Sequence, residues 1–285
     1  MLATLSPFPG FGLGFRREHT ADFLDSDPVE GVDFVEVISE NYMVDGGKPL
    51  RILEDIRSRH PVILHGVSLS VGSAHGADDA YLDRLGALAD RIDPLWVSDH
   101  LCWTRTSAHN SHDLLPLPLT REALQVVCDN IDRAQERLGL VMLFENPSSY
   151  VTFPQDEMAE WEFLSEMARR TGCCLLLDVN NIFVSAHNHG FDALEYIGGL
   201  PLERVRQMHL AGHEEGDIII DTHDRPVSDG VWTLFAAAMR RLDAVGNHPA
   251  IMIERDGNIP PLHELVKELG KARTIAAHAT ERLAA

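Results

Sequence analysis

The sequence predicts an α/β fold, a closed (β/α)8 TIM barrel, on two observations: eight short apolar runs alternate with stretches of helical periodicity, and nearly every run ends on an acidic or imidazole side chain. The runs are FGLGF, FVEVISEN, VILHG, LWVSDH, VMLFEN, CLLLDVNN, VRQMHL and IMIERD. Their polar ends are Glu40, His65, His100, Glu145, Asp178, His209 and Glu254, with Glu18 and His19 behind the first run. Right-handed crossovers return every strand in the same direction, so a barrel gathers all these ends at one mouth. An open doubly wound sheet would concentrate its site at one switch point, and polar ends on almost every run argue against it.

Taken in order, the glycines of GFGLGF read as letting the first strand approach its neighbours closely, because a phosphate-binding loop would need a lysine and a spacing that are absent. YLDRLGALADRI, REALQVVCDNIDRAQERLG, EMAEWEFLSEMARRTG and GVWTLFAAAMRRLDAVG carry apolar residues at helical spacing. Thr120, between the proline-rich LLPLPLT and Arg121-Glu122, is a helix entry; Gly139 and Gly172 stand where helices stop, each just ahead of the next run. SAHNHG, with His187 and His189, reads as a loop over the mouth or as a solvent-exposed segment. Trp96, Trp103, Trp161 and Trp232 follow no pattern and read as packing. The tail 271–285 reads as a terminal helix or a frayed end. No internal repeat or Gly/Ser linker marks a second unit, so residues 1–285 read as one barrel domain.

The hydrophobic fraction of 45% and charged fraction of 24% are ordinary for a globular chain. No apolar stretch reaches the ~18 residues of a membrane span, and MLATLSPFPGFG lacks the pattern of a secretory signal, so a cytoplasmic location is expected. The net charge of -20, from 24 basic and 44 acidic side chains, repels polyanions and argues against nucleic acid as a partner. Cys102, Cys128, Cys173 and Cys174 show no C-x-x-C spacing and read as buried, reduced thiols.

Fifteen histidines, many of them in runs with carboxylates, suit a metal bound by nitrogen and oxygen. His209 and His213 put one imidazole at a strand end and one in the following loop. Asp221 and His223 face the same way if the chain there is extended, and Asp178 and Asn181 span the end of a run. A lone buried histidine or carboxylate is more often a hydrogen-bonded structural residue than a ligand. So many together, without a counter-charge, would each cost several kcal/mol, and divalent cations remove that cost. The number of candidates exceeds the needs of one ion and implies two or three.

With SENYM, LHGVSLSVGS, SDHLCW, DLLPLPLT, FENPSSY, LLLDVNN, HLAGH, DTHD and IERD in this order, the chain resembles the multinuclear non-haem iron-dependent oxidative enzymes, which include the methanobactin-biosynthesis oxidase, from about Gly10 to Leu265. The resemblance implies a xylose-isomerase-type barrel holding two or three iron ions, dioxygen as co-substrate, a Cys-containing precursor peptide as substrate and a partner protein that presents it. It places metal ligands at His65, His100, Glu145, Asp178, Asn181, His209, His213, Asp221, His223 and Glu254. One iron would take His65, His100 and Glu145; a second would share Glu145 and take Asp178, His209 and Glu254; a third would take Asn181, His213, Asp221 and His223. Dioxygen-dependent removal of hydrogen from the cysteine β-carbon is the implied chemistry, with Asp256 as base and Glu40 and Asn41 orienting substrate. The rival readings are a divalent-metal hydrolase or isomerase on the same barrel, and a metal-binding protein without catalysis.

Overall fold

A computed structural model describes residues 5, 7–8, 10–26, 28–106 and 109–281. Eight of its strands are parallel: β1 (Phe11–Gly14), β2 (Phe34–Ile38), β3 (Val62–His65), β4 (Val97–His100), β7 (Met142–Glu145), β8 (Cys174–Asp178), β9 (Val205–Leu210) and β10 (Ala250–Ile253). They neighbour one another in that order, and β10 pairs back onto β1 to close a barrel. Each of the eight apolar runs supplies one strand. Between β4 and the next helix the chain inserts an antiparallel pair, β5 (Trp103–Arg105) and β6 (Asn110–Leu115), which the sequence analysis did not anticipate.

The helices are α1 (Thr20–Asp25), α2 (Lys48–Arg57), α3 (Asp79–Ile92), α4 (Arg121–Leu138), α5 (Glu160–Thr171), α6 (Val179–His189), α7 (Ala193–Gly198), α8 (Asp229–Ala244) and α9 (Leu262–Glu281). The Thr120 hydroxyl accepts from the Ala123 amide and caps α4. Gly139 and Gly172 end α4 and α5 at φ 70° and 72°, a conformation in which a side chain is strained. SAHNHG is the end of α6 and not a loop, since Asp178 caps that helix directly after β8. The tail contributes its described part to α9; residues 282–285 lie outside the described residues.

Strand alternation divides the apolar residues into two cores. One set, including Val35, Leu64, Val97, Phe144, Leu177 and Met208, packs against the helices. The other, including Phe34, Ile63, Trp96, Leu143, Leu176 and Met252, fills the barrel. Trp96, the residue before β4, donates through Nε1 to Gln207 Oε1 of β9 at 2.7 Å; β4 and β9 are not neighbours, so this contact crosses the interior. Above these layers the same inward positions carry Glu36, His65, His100, Glu145, Asp178 and His209. Parallel register sets His100 beside Glu145 and Asp178 beside His209.

Closure at β1 depends on Gly12, where a Cβ would stand 2.5 Å from the buried Phe34 ring. Gly12→Val is therefore expected to lower unfolding stability by about 1–3 kcal/mol, read as a lower urea midpoint at unchanged slope. An unchanged midpoint would show that the ring yields without cost.

Candidate metal centre

At the carboxyl ends of the strands, four overlapping groups of side chains have donor atoms within 4.8 Å of one another: His65–His100–Glu145, Glu36–His209–Glu254, Glu145–Asp178–His209 and Asp178–His223–Glu254. Glu145, Asp178, His209 and Glu254 each belong to two groups, so the centre is continuous. His65 Nε2 and His100 Nε2 lie 3.3 and 3.4 Å from Glu145 Oε2. His209 Nδ1 is 3.2 Å from Glu254 Oε2 and 3.7 Å from Glu145 Oε2; His223 Nδ1 is 3.1 Å from Glu254 Oε2.

Hydrogen bonds behind the centre aim these atoms inward. The His100 Nδ1 atom lies 3.1 Å from the Gly66 carbonyl, which only accepts. That ring therefore carries its proton on Nδ1 and presents a lone pair on Nε2. His65 Nδ1 is held by Ser98 Oγ at 2.8 Å. His209 Nε2 faces Glu36 at 3.2 Å, and Gln207 Nε2 donates to Glu36 at 2.5 Å, which leaves Nδ1 for the centre. Asn146 exchanges hydrogen bonds with the Asp178 backbone at 2.9 and 3.0 Å and ties β7 to β8. The Asn181 amide nitrogen donates to Glu145 Oε1 at 3.3 Å and its backbone N–H to Asp178 Oδ1 at 2.6 Å.

The donor set fits cations. Glu145 Oε2, Asp178 Oδ2, Asn181 Oδ1, His209 Nδ1 and His223 Nε2 are buried without a hydrogen-bond partner. His223 Nε2 is nevertheless only 2.6 Å from Asp221 Oδ1, close but not aligned as a hydrogen bond. Buried acceptors that converge without donors between them are the arrangement a metal ion satisfies. Burial pushes His65 and His100 down to about 3, so both are neutral imidazoles with ligating lone pairs. Burial pushes Asp178 up to about 7 and Glu145 well above the ordinary carboxylate range. Burial also opposes charge on His209 and His223, but Glu36 and Glu254 beside the first, and Asp221 and Glu254 beside the second, outweigh it and raise both. Glu254 is held low, against its burial, by those two imidazoles. Protons thus do the balancing that a cation does better.

Seven of the ten ligands named from sequence lie in or against this centre through direct donor contacts: His65, His100, Glu145, Asp178, His209, His223 and Glu254. Asp221 joins through His223, although not on an extended chain: His223 has φ 47°, a left-handed turn that folds the pair together. Asn181 borders the centre with a free Oδ1. His213 belongs to none of the four groups. Its Nδ1 bonds Asn180 Oδ1 at 2.7 Å and its ring stacks on Phe183; Asn180 in turn donates to Asp221 at 2.7 Å, so His213 steadies Asp221 from behind. Glu40 accepts from Val67 N–H and the Tyr81 hydroxyl at 2.9 and 2.7 Å, outside the four groups. Asn41 lines a separate cleft with Arg16 and Asp256. Asp256 pairs with Arg16 and lies 3.6 Å from His223 Nδ1. His19 bonds the Pro260 carbonyl. Glu36 was missed, although alternation in FVEVI puts it on the inward face with Phe34; a charge inside an apolar run was the available signal.

A closed parallel barrel whose mouth buries overlapping imidazole and carboxylate donors defines a class: a xylose-isomerase-type barrel with a candidate multinuclear metal centre. Over 98% of its length the chain matches 99% of a xylose isomerase domain protein from Planctomyces limnophilus, with a TM-score of 0.58 at 12% identity, a likeness of fold alone. Residues 10–277 match the model of the family described as "RiPP precursor modification enzyme MbnB/TglH/ChrH", and the chain belongs to that family. A UPF0276 protein of Rhizorhabdus wittichii is 62% identical over 267 residues, covering 93% of this chain and 94% of that one. Another UPF0276 protein, from Caulobacter vibrioides, is 60% identical over 272 residues and 95% of each chain.

Two outcomes follow from this geometry. Glu145→Gln is expected to lower metal content by more than one equivalent per chain in elemental analysis, because two groups share this carboxylate, whereas His213→Ala leaves it nearly unchanged. Binding of a divalent ion must ionise Asp178 and Glu145, so calorimetric affinity is expected to weaken as pH falls through about 7; equal affinity at pH 6 and 8 would contradict the arrangement.

Proposed function

We propose that this chain holds two or three iron ions and uses dioxygen to modify cysteine residues of a ribosomally synthesised precursor peptide. The observation that carries the reading is the set of four donor groups sharing Glu145, Asp178, His209 and Glu254, in a chain of a peptide-modifying enzyme family. Nitrogen and oxygen donors without thiolate suit iron. His65, His100 and Glu145 would hold one ion, and Glu145, Asp178, His209 and Glu254 a second. Asp178, His223 and Glu254, with Asp221 and Asn181 beside them, would hold a third. His213 belongs behind this site as a support.

Bound iron supplies a ligation point for the substrate thiolate and the electrons that pass to dioxygen. The chain's own residues do the rest. A cleft of about 510 Å³ opens above His65, His100, Glu145 and His223, wide enough for an extended peptide segment. Asp256, at its open side, takes the proton released by the substrate, and Arg16 fixes that carboxylate. Asn41, on the adjoining cleft, contacts the peptide backbone, while Glu40 orders the β2–β3 mouth through Val67 and Tyr81. A second protein presents the precursor, and a cytoplasmic setting keeps its cysteine reduced.

The chain co-expressed with short Cys-containing peptides encoded beside it tests this reading by mass spectrometry. The peptide mass is expected to change with iron-loaded protein in air. It should stay constant under anaerobic conditions, with zinc, or with His100→Ala. Modification without oxygen, or with zinc but not iron, would favour a metal-dependent hydrolase or isomerase.

A further inference from the structure

Next to the donor cleft lies a second, apolar chamber of about 250 Å³, walled by Leu119, Phe153, Met158, Trp161, Phe191 and Tyr196. The two spaces share Pro116, Pro147, Ser148 and Val151, and Leu101, directly after the donor His100, lines the chamber. None of the donors in the four metal groups lines it. Most ionisable and hydroxyl groups in its wall are already engaged. Asp156 accepts from the Leu119 and Phe153 amides at 2.7 and 3.0 Å, and Glu160 from the Tyr196 hydroxyl at 2.5 Å. His189 bonds the Ser149 carbonyl at 2.9 Å, and Ser185 Oγ accepts from Ser149 N–H. What the wall offers a ligand is therefore mainly apolar surface.

Its size argues for part of a ligand, since sites for whole small molecules typically run to about 300–1,000 Å³. Around the shared edge, Leu114, Tyr150 and Val151 are exposed at 40%, 43% and 49%, a concentration of large apolar residues beside the ionisable floor of the cleft.

We propose that this chamber is a recognition site for one bulky apolar side chain, aromatic or branched aliphatic, adjacent to the reacting cysteine of the peptide substrate. The inference rests on the peptide reading of the donor cleft: with the cysteine at the donors, a neighbouring residue reaches across the shared wall of Pro147 and Val151. The chamber then selects substrate and sets the peptide's register, while the donors carry out the chemistry. Burial of one large apolar side chain, less the cost of ordering it, gives about tenfold or more in affinity.

Two probes test it on the full-length, iron-loaded chain: acetyl-Phe-Cys-Phe-amide and acetyl-Gly-Cys-Gly-amide, with affinities read under anaerobic conditions by calorimetry and by the fluorescence of Trp161. The Phe peptide is expected to bind at least tenfold tighter. Ala159→Phe, which fills the chamber from its own wall, should bring the two peptides within twofold at unchanged iron content. Leu119→Trp fills it from a second wall position should Ala159→Phe fail to fold, and Trp161→Phe should abolish the optical signal but not the calorimetric preference. Equal binding of the two peptides, or no measurable binding of either, overturns the proposal. So does a preference that survives in a folded, filled variant. Mass spectrometry in air separates the two readings: an unchanged mass of the co-expressed precursor, with the tripeptide preference intact, counts against the oxidative function, and oxidation of both tripeptides at equal affinity counts against the chamber.

Discussion

Charge buried at the barrel mouth is the constraint on which this structure turns. Glu36, Glu145, Asp178 and Glu254 sit within one barrel mouth, and an isolated ionised carboxylate in such a place costs several kcal/mol even after relaxation. His209 and His223 offset part of that cost by holding protons, but His65 and His100 are driven neutral. The barrel tolerates the arrangement because close-packed apolar layers lie beneath it, from Phe34 and Trp96 up to Leu143 and Leu176. Cations shared between Glu145 and its neighbours would turn this unfavourable cluster into a bound state.

The rest of the mouth keeps those donors pointed. Gln207 fixes Glu36, Glu36 fixes His209, and Asn146 locks two strand ends together. Asp178 serves twice, as a donor of the centre and as the cap of α6. The helix behind the site therefore begins at a candidate ligand, and its first turn delivers Asn180 and Asn181 to Asp221 and Glu145. Such coupling between helix capping and ligand orientation leaves little slack, which a centre of several ions requires.

Access is set by what the barrel scaffold leaves free to vary. The β5–β6 pair contributes Asp113, Leu114 and Leu115 to the edge of the cleft, and the segment after β7 contributes Pro147, Ser148, Tyr150 and Val151. Loops at this end of a barrel carry specificity while strand ends carry chemistry. The apolar chamber and the polar cleft divide along the same line, one walled mainly by loops and helix starts, the other floored by strand tips.

Much of this was legible from residue order. Period-two alternation and burial act over a few residues, so FVEVI, VILH and IMIE declared themselves as strands, and His65, His100, Glu145 and His209 as their inward ends. Glu36 was passed over for Glu40 because the end of a run drew attention from its middle. The β5–β6 pair was hidden because WTRTSAHNSHDLL is mostly polar and carries no sustained apolar alternation. SAHNHG was hidden by polar residues that a cap at Asp178 holds helical. Taken alone, the sequence determined the eight strands, their parallel course and the kinds of side chain gathered at the mouth, because these follow from local pattern and a single handed crossover. Only the tertiary structure decided which donors meet. The approach of His209 to Glu36 across a closed sheet, the left-handed turn at His223 and the pairing of His213 with Asn180 depend on register and backbone torsion between segments far apart in the chain, and no local pattern encodes them.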